Sequence, residues 1–191
     1  MIALATVGMA VTLGGCASPT TGQTATVASV TTAPAPSGPR LTDDSGRPQV
    51  LFDPCNDISP AVLVKMSLDP NSKEHSDFEG GTYTFMSCQF KSDMYVLGVS
   101  SGNTTAAEQR AEQQRDSATK TVTPVTVAGR AGWMAVDPSR PRICRLTFTT
   151  SYGEVMVDRM QLDKAADQGL GVCDGMEQSA EIVASILPPG A

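Results

Sequence analysis

The chain has 191 residues, a formal net charge of −6 and a single His. That balance argues against a nucleic-acid binder, whose phosphate contacts need a basic patch, and one His leaves little for a zinc centre or for His-dependent catalysis. The length suits one domain with extensions, and no run approaches the roughly 20 apolar residues needed to span a bilayer.

Residues 1–15 read MIALATVGMAVTLGG, without a charged side chain. The run is too short for a spanning helix and right for the apolar region of a signal peptide. Leu13-Gly14-Gly15-Cys16 follows and resembles the lipobox of bacterial lipoprotein precursors. The resemblance implies cleavage before Cys16 and transfer of a diacylglyceryl group to its thiol. Two acyl chains hold a protein on a bilayer where one is marginal, at about 0.8 kcal/mol per buried CH₂. The expected location is therefore the extracytoplasmic face of the cell membrane, with the membrane itself as a partner.

Residues 16–48 come next as the lipidated Cys and a tether. Between Ala17 and Pro39 there is no charge and no aromatic, only Thr, Ser, Pro, Ala, Gly, Val and Gln. Such a segment buries too little apolar surface to offset its conformational entropy, and a flexible chain from Ala17 to Pro48 reaches roughly 30 Å.

The globular part is expected over 49–191. Ser59-Pro60 predicts a helix start that runs to about Leu68, and Asp69-Pro70-Asn71 breaks it. Thr82 to Phe90 and Met94 to Ser100 predict a β-hairpin. Thr105 and Glu108 form a capping-box pattern that opens a polar helix to about Thr119, with Ala107, Ala111 and Ala118 as its apolar stripe. Val122–Val127, Gly132–Val136, Ile143–Thr149 and Val155–Leu162 predict four further strands. Met176, Ala180, Val183, Ala184 and Leu187 recur at helical spacing until Pro188 and Pro189. Strand runs with few helices predict an α+β fold, a mainly antiparallel sheet packed against helices in a single domain.

With Cys16 lipidated, Cys55, Cys88, Cys144 and Cys173 remain. Export makes disulfides possible, and four cysteines allow three pairings between which sequence does not choose. The expected pairing is Cys55–Cys88 with Cys144–Cys173, each joining a strand to the start of a helix, at about 3–4 kcal/mol each in the chain-entropy model.

Several short motifs recur in order: Phe52-Asp53-Pro54-Cys55, Met86-Ser87-Cys88-Gln89-Phe90, Gly129-Arg130-Ala131-Gly132-Trp133, Ile143-Cys144-Arg145-Leu146, and Val172-Cys173-Asp174 before the last helix. Together with the lipobox they resemble the actinobacterial, especially mycobacterial, LprB/LprC-type lipoproteins, a family of unknown function. The resemblance implies a cell-envelope lipoprotein with two disulfides and no known reaction. A more distant likeness is to the extracytoplasmic sensor domains of actinobacterial kinases and to the Mog1/PsbP-like sandwich.

Candidate chemistry is sparse. Gly98-Val99-Ser100-Ser101-Gly102 matches the G-x-S-x-G elbow, but a hydrolase needs a later acid and then a later His, and His75 precedes it. It reads as a strand-to-helix turn. Asp69 to Glu74 begins like a calcium loop, with Lys73 and Glu74 in the wrong places. His75 reads as solvated. Glu154 and Asp158 share one strand face but stand roughly 13 Å apart, and they too read as solvated. Arg140, Arg142 and Arg145 form a basic cluster on a solvated face. Trp133, Tyr83, Phe85 and Phe148 read as core. No catalytic, metal or cofactor residue is expected. The functional expectation is a non-catalytic binding or sensing module for an envelope ligand, lipid, glycan or protein. The alternatives are an accessory protein docking on an envelope complex such as a transporter and, more remotely, a hydrolase.

Overall fold

Period-two alternation in the strand segments commits one sheet face to a core. The computed structural model describes residues 46–79 and 83–191; Cys16, Thr82 and nearly all of the expected tether lie outside the described residues. In chain order the elements are α1 (Pro54–Asp57), α2 (Pro60–Lys65), β1 (Glu74–His75), β2 (Phe78–Glu79), β3 (Thr84–Lys91), β4 (Tyr95–Gly102), α3 (Ala106–Thr119), β5 (Thr121–Val127), β6 (Arg130–Val136), β7 (Ile143–Thr149), β8 (Glu154–Gln161), α4 (Asp163–Asp167) and α5 (Met176–Ser185). The fold is α+β. All pairings are antiparallel, in the order β1-β3-β4-β8-β7-β6-β5, with β2 also on β3.

The six predicted strands all form, within a few residues of their expected ends. α1, α4, β1 and β2 are additions, each too short to carry a periodic signal. α1 exists because Asp53 accepts hydrogen bonds from the Cys55 and Asn56 amides and Pro54 takes the first helical position. α2 is capped by Ser59 as expected and stops at Lys65. β5 and β6 turn through Ala128 and Gly129, both at positive φ. That matches the two-residue hairpin turn whose twist suits the strands, and Gly129 adopts it without steric cost.

The first sheet face carries Cys88 and Phe90 from β3, Leu97 and Val99 from β4, Val155 and Val157 from β8, and Leu146 and Phe148 from β7, all buried. They join Phe52, Ile58, Leu63, Met176, Ala180 and Val183 in one core. Cys55 is bonded to Cys88 and Cys144 to Cys173, the pairing set out above, so α1 is tied to β3 and the approach to α5 is tied to β7.

α3 has a different task. It leaves β4, third along the sheet, and delivers the chain to β5 at the far edge. It does so over the second face, and that face holds the candidate site.

Candidate functional site

Strand register assigns the second face. It carries Phe85, Ser87 and Gln89 of β3; Gly98, Ser100 and Gly102 of β4; Glu154, Met156 and Asp158 of β8; Arg145 and Thr147 of β7; and Trp133 and Ala135 of β6. Where the first face is apolar, this one mixes hydroxyls, amides and charges.

α3 seats on it by polar contacts. The expected apolar stripe is overturned: Ala107 and Ala118 are exposed, and the helix buries Gln109 and Asp116 instead. Glu112 lies between them at helical spacing and stands 3.8 Å from Arg145 Nη1. The capping box forms as predicted, with Thr105 and Glu108 bonded reciprocally. Arg47 adds a fork, its Nη1 and Nη2 each 2.7 Å from a Glu108 carboxylate oxygen, and Nη1 also donates to the Asn103 carbonyl. The Arg47 bonds first, and then the Thr105 amide, hold the Glu108 carboxyl down to about 2.

Two cavities flank Arg145. The smaller, about 330 Å³, lies between α3 and the sheet and is walled by Tyr83, Phe85, Thr104, Glu108, Glu112 and Met156 among others. Tyr83 and Phe85 meet edge to face at 5.6 Å and are half-buried, so they wall this cavity and do not fill the core as expected. Phe148 is core; Trp133 is buried outside that cluster, on the α3 side.

Glu154 corrects the reading of a solvated carboxylate. It is fully buried, at 0% exposure, opposite Gly102 of β4 and Thr149 of β7, and neither oxygen makes a hydrogen bond of ordinary geometry. Burial first, then repulsion from Glu112, pushes its carboxyl up to about 7 against the opposing pull of Thr104 and Arg145. Asp158 is the partly exposed member: Arg145 Nε and Nη2 grip its two oxygens at 2.7 and 3.1 Å.

The larger cavity, about 400 Å³, is an open cleft over the rest of the face. Gly98 is on its floor, between Gln89 and Asp158 in register. Ser87 donates to Ser100 at 2.8 Å across β3 and β4. The far wall is Ala135, Asp137, Arg140 and Ile143, and Lys120 closes the end of α3. The cleft's cations are matched internally: Arg145 with Asp158, Arg140 with Asp137 at 3.2 Å, and Lys120 with Asp116 at 2.5 Å. The Ser139 hydroxyl and amide, with Arg140 behind them, hold Asp137 down to about 2. Arg142 pairs with Asp163, so the three arginines are three separate ion pairs and not one basic patch.

The G-x-S-x-G residues lie inside β4, not at a strand-to-helix turn. Ser100 is bonded to Ser87, Ser101 to Tyr152 at 2.8 Å, and His75 is exposed. Among the described residues, no group of His, Cys, Asp and Glu is arranged to hold a metal ion, and no helix is long and apolar enough to cross a membrane.

A family model described as "Protein of unknown function (DUF3558)" matches residues 11–185. The chain belongs to the DUF3558 family. No curated protein and no solved structure matches it. For this DUF3558 chain the cleft and its pairs are therefore the evidence on function. Sequence reasoning singled out Arg145 and Asp158 but not their pairing, and it missed Gly98 as a floor. The traceable signal was the i, i+3, i+7 run Gln109-Glu112-Asp116, a polar stripe on a helix that must cover a sheet.

Proposed function

We propose that this DUF3558 protein is a membrane-anchored cell-envelope lipoprotein that binds an envelope ligand in the cleft of the second sheet face, without turnover. The observation that carries the reading is the cleft itself, built by five strands and ordered by side chains already bonded to one another. A site of about 400 Å³ lies in the range of small-ligand pockets. Anchorage at Cys16 is supported by the Leu13-Gly14-Gly15-Cys16 motif, which the family match takes in, and by the likeness to LprB/LprC-type lipoproteins. Two disulfides suit an oxidising compartment.

Mass action supplies the test, because a ligand that binds only the folded chain raises its melting temperature. The full chain is melted with and without a cell-envelope extract. The expected result is a rise for the natural chain and none for Gly98→Val. Equal behaviour of the two proteins sinks the cleft as the site.

A further inference from the structure

The chemistry of the cleft narrows what it can hold. An anion such as a phosphate needs net positive charge, and a carboxylate already beside each cation cancels that charge and repels a second anion. Here Arg145, Arg140 and Lys120 each already hold a carboxylate. A lipid chain needs continuous apolar lining, because hydroxyls buried under it without partners cost free energy. The apolar residues Val96, Ala135, Ile143 and Met160 are interrupted by Ser87, Ser100, Gln89 and the Arg145–Asp158 pair.

What remains is a ligand that donates and accepts together and presents an apolar C–H face. Serine hydroxyls, a carboxamide and a fixed carboxylate–guanidinium pair offer both senses of hydrogen bond at once. Gly98 leaves a flat floor between Gln89 and Asp158. A Cβ there would stand 3.6 Å from the Asp158 Cβ, ordinary contact, and its φ is outside the positive range. The bare floor is thus not required by the backbone, and it keeps the cleft open.

We infer that the cleft of the second face is a saccharide site, for a neutral, hydroxyl-rich sugar segment laid across Gly98 between the Ser87–Ser100 pair and the Arg145–Asp158 pair. The inference rests on the proposed binding function and names its ligand class.

The test follows backbone amide resonances of Ser87, Gly98, Ser100 and Asp158 in the isotope-labelled full chain. The probes are neutral gluco-, manno- and galacto-oligosaccharides, inorganic phosphate, and a short-chain phosphatidylglycerol. The expected result is saturable shifts at these amides with at least one neutral series, about tenfold tighter or more than with phosphate. Gly98→Val should weaken that binding by about tenfold or more, and so should Gln89→Ala, an exposed position that leaves the core untouched. Shifts at these amides with phosphate or phosphatidylglycerol, and none with saccharides, would overturn the sugar class and keep the binding site. Silence with every saccharide while an envelope extract still moves the same amides has the same meaning. Silence with the probes and the extract alike would overturn the binding function as well.

Discussion

A single carboxyl gives this protein a pH signature. Glu154 titrates near 4.5 when unfolded and about 7 when folded. Between those values the folded chain holds a proton that the unfolded chain has released, so stability falls as pH rises through that window. The loss is complete above the folded value and amounts to on the order of 3 kcal/mol. Glu154→Gln keeps the shape and removes the charge. Urea unfolding at about pH 5 and about pH 8 should show the natural chain losing roughly that amount relative to the variant. An identical pH slope in the two proteins would show that the carboxyl is not confined as described. Thr147 and Trp133 have polar atoms in the same position, buried and unbonded, which marks the layer under α3 as the weakly satisfied part of the fold.

At the scale of elements, the two layers are held by different forces. α1, α2 and α5 rest on apolar contact and two disulfides, whereas α3 rests on a capping box, the Arg47 fork and partly exposed ion pairs. Solvent screening keeps such pairs small, about 0–1 kcal/mol each. The disulfides close loops with sequence separations of 33 and 29, each stabilising by roughly 3–4 kcal/mol in the chain-entropy model. Replacing Cys144 and Cys173 together by Ser should therefore lower unfolding free energy by about that amount. Hydrogen exchange should show α5 opening more often in that variant, with α3 unchanged. Equal loosening of both helices would contradict the division of labour.

Across the whole molecule, legibility in the sequence tracked chemistry. Strands such as Ile143–Thr149 were readable because β-branched and aromatic residues alternate with polar ones. The last helix was readable because Met176, Ala180 and Val183 mark one face. The seat of α3 was not, since its inward residues are Gln109, Glu112 and Asp116, and polarity normally signals solvent. Glu154 misled for the same reason: nothing local tells a buried strand carboxylate from an exposed one until the register sets a helix above it. The cleft depends on which strands become neighbours. β4 lies beside β8, four strands later in the chain, so Gly98 meets Asp158 only in the folded sheet.

The central proposal is an anchored, oxidised chain that carries a ligand in its sheet cleft. Native mass spectrometry of the full chain, released from its own membranes, tests it most directly. The predicted species begins at Cys16 with a diacylglyceryl adduct, has both disulfides closed, and carries a non-covalent ligand that Gly98→Val lacks. A chain with a free Cys16 thiol, or a natural chain and Gly98→Val of the same ligand occupancy, would contradict it.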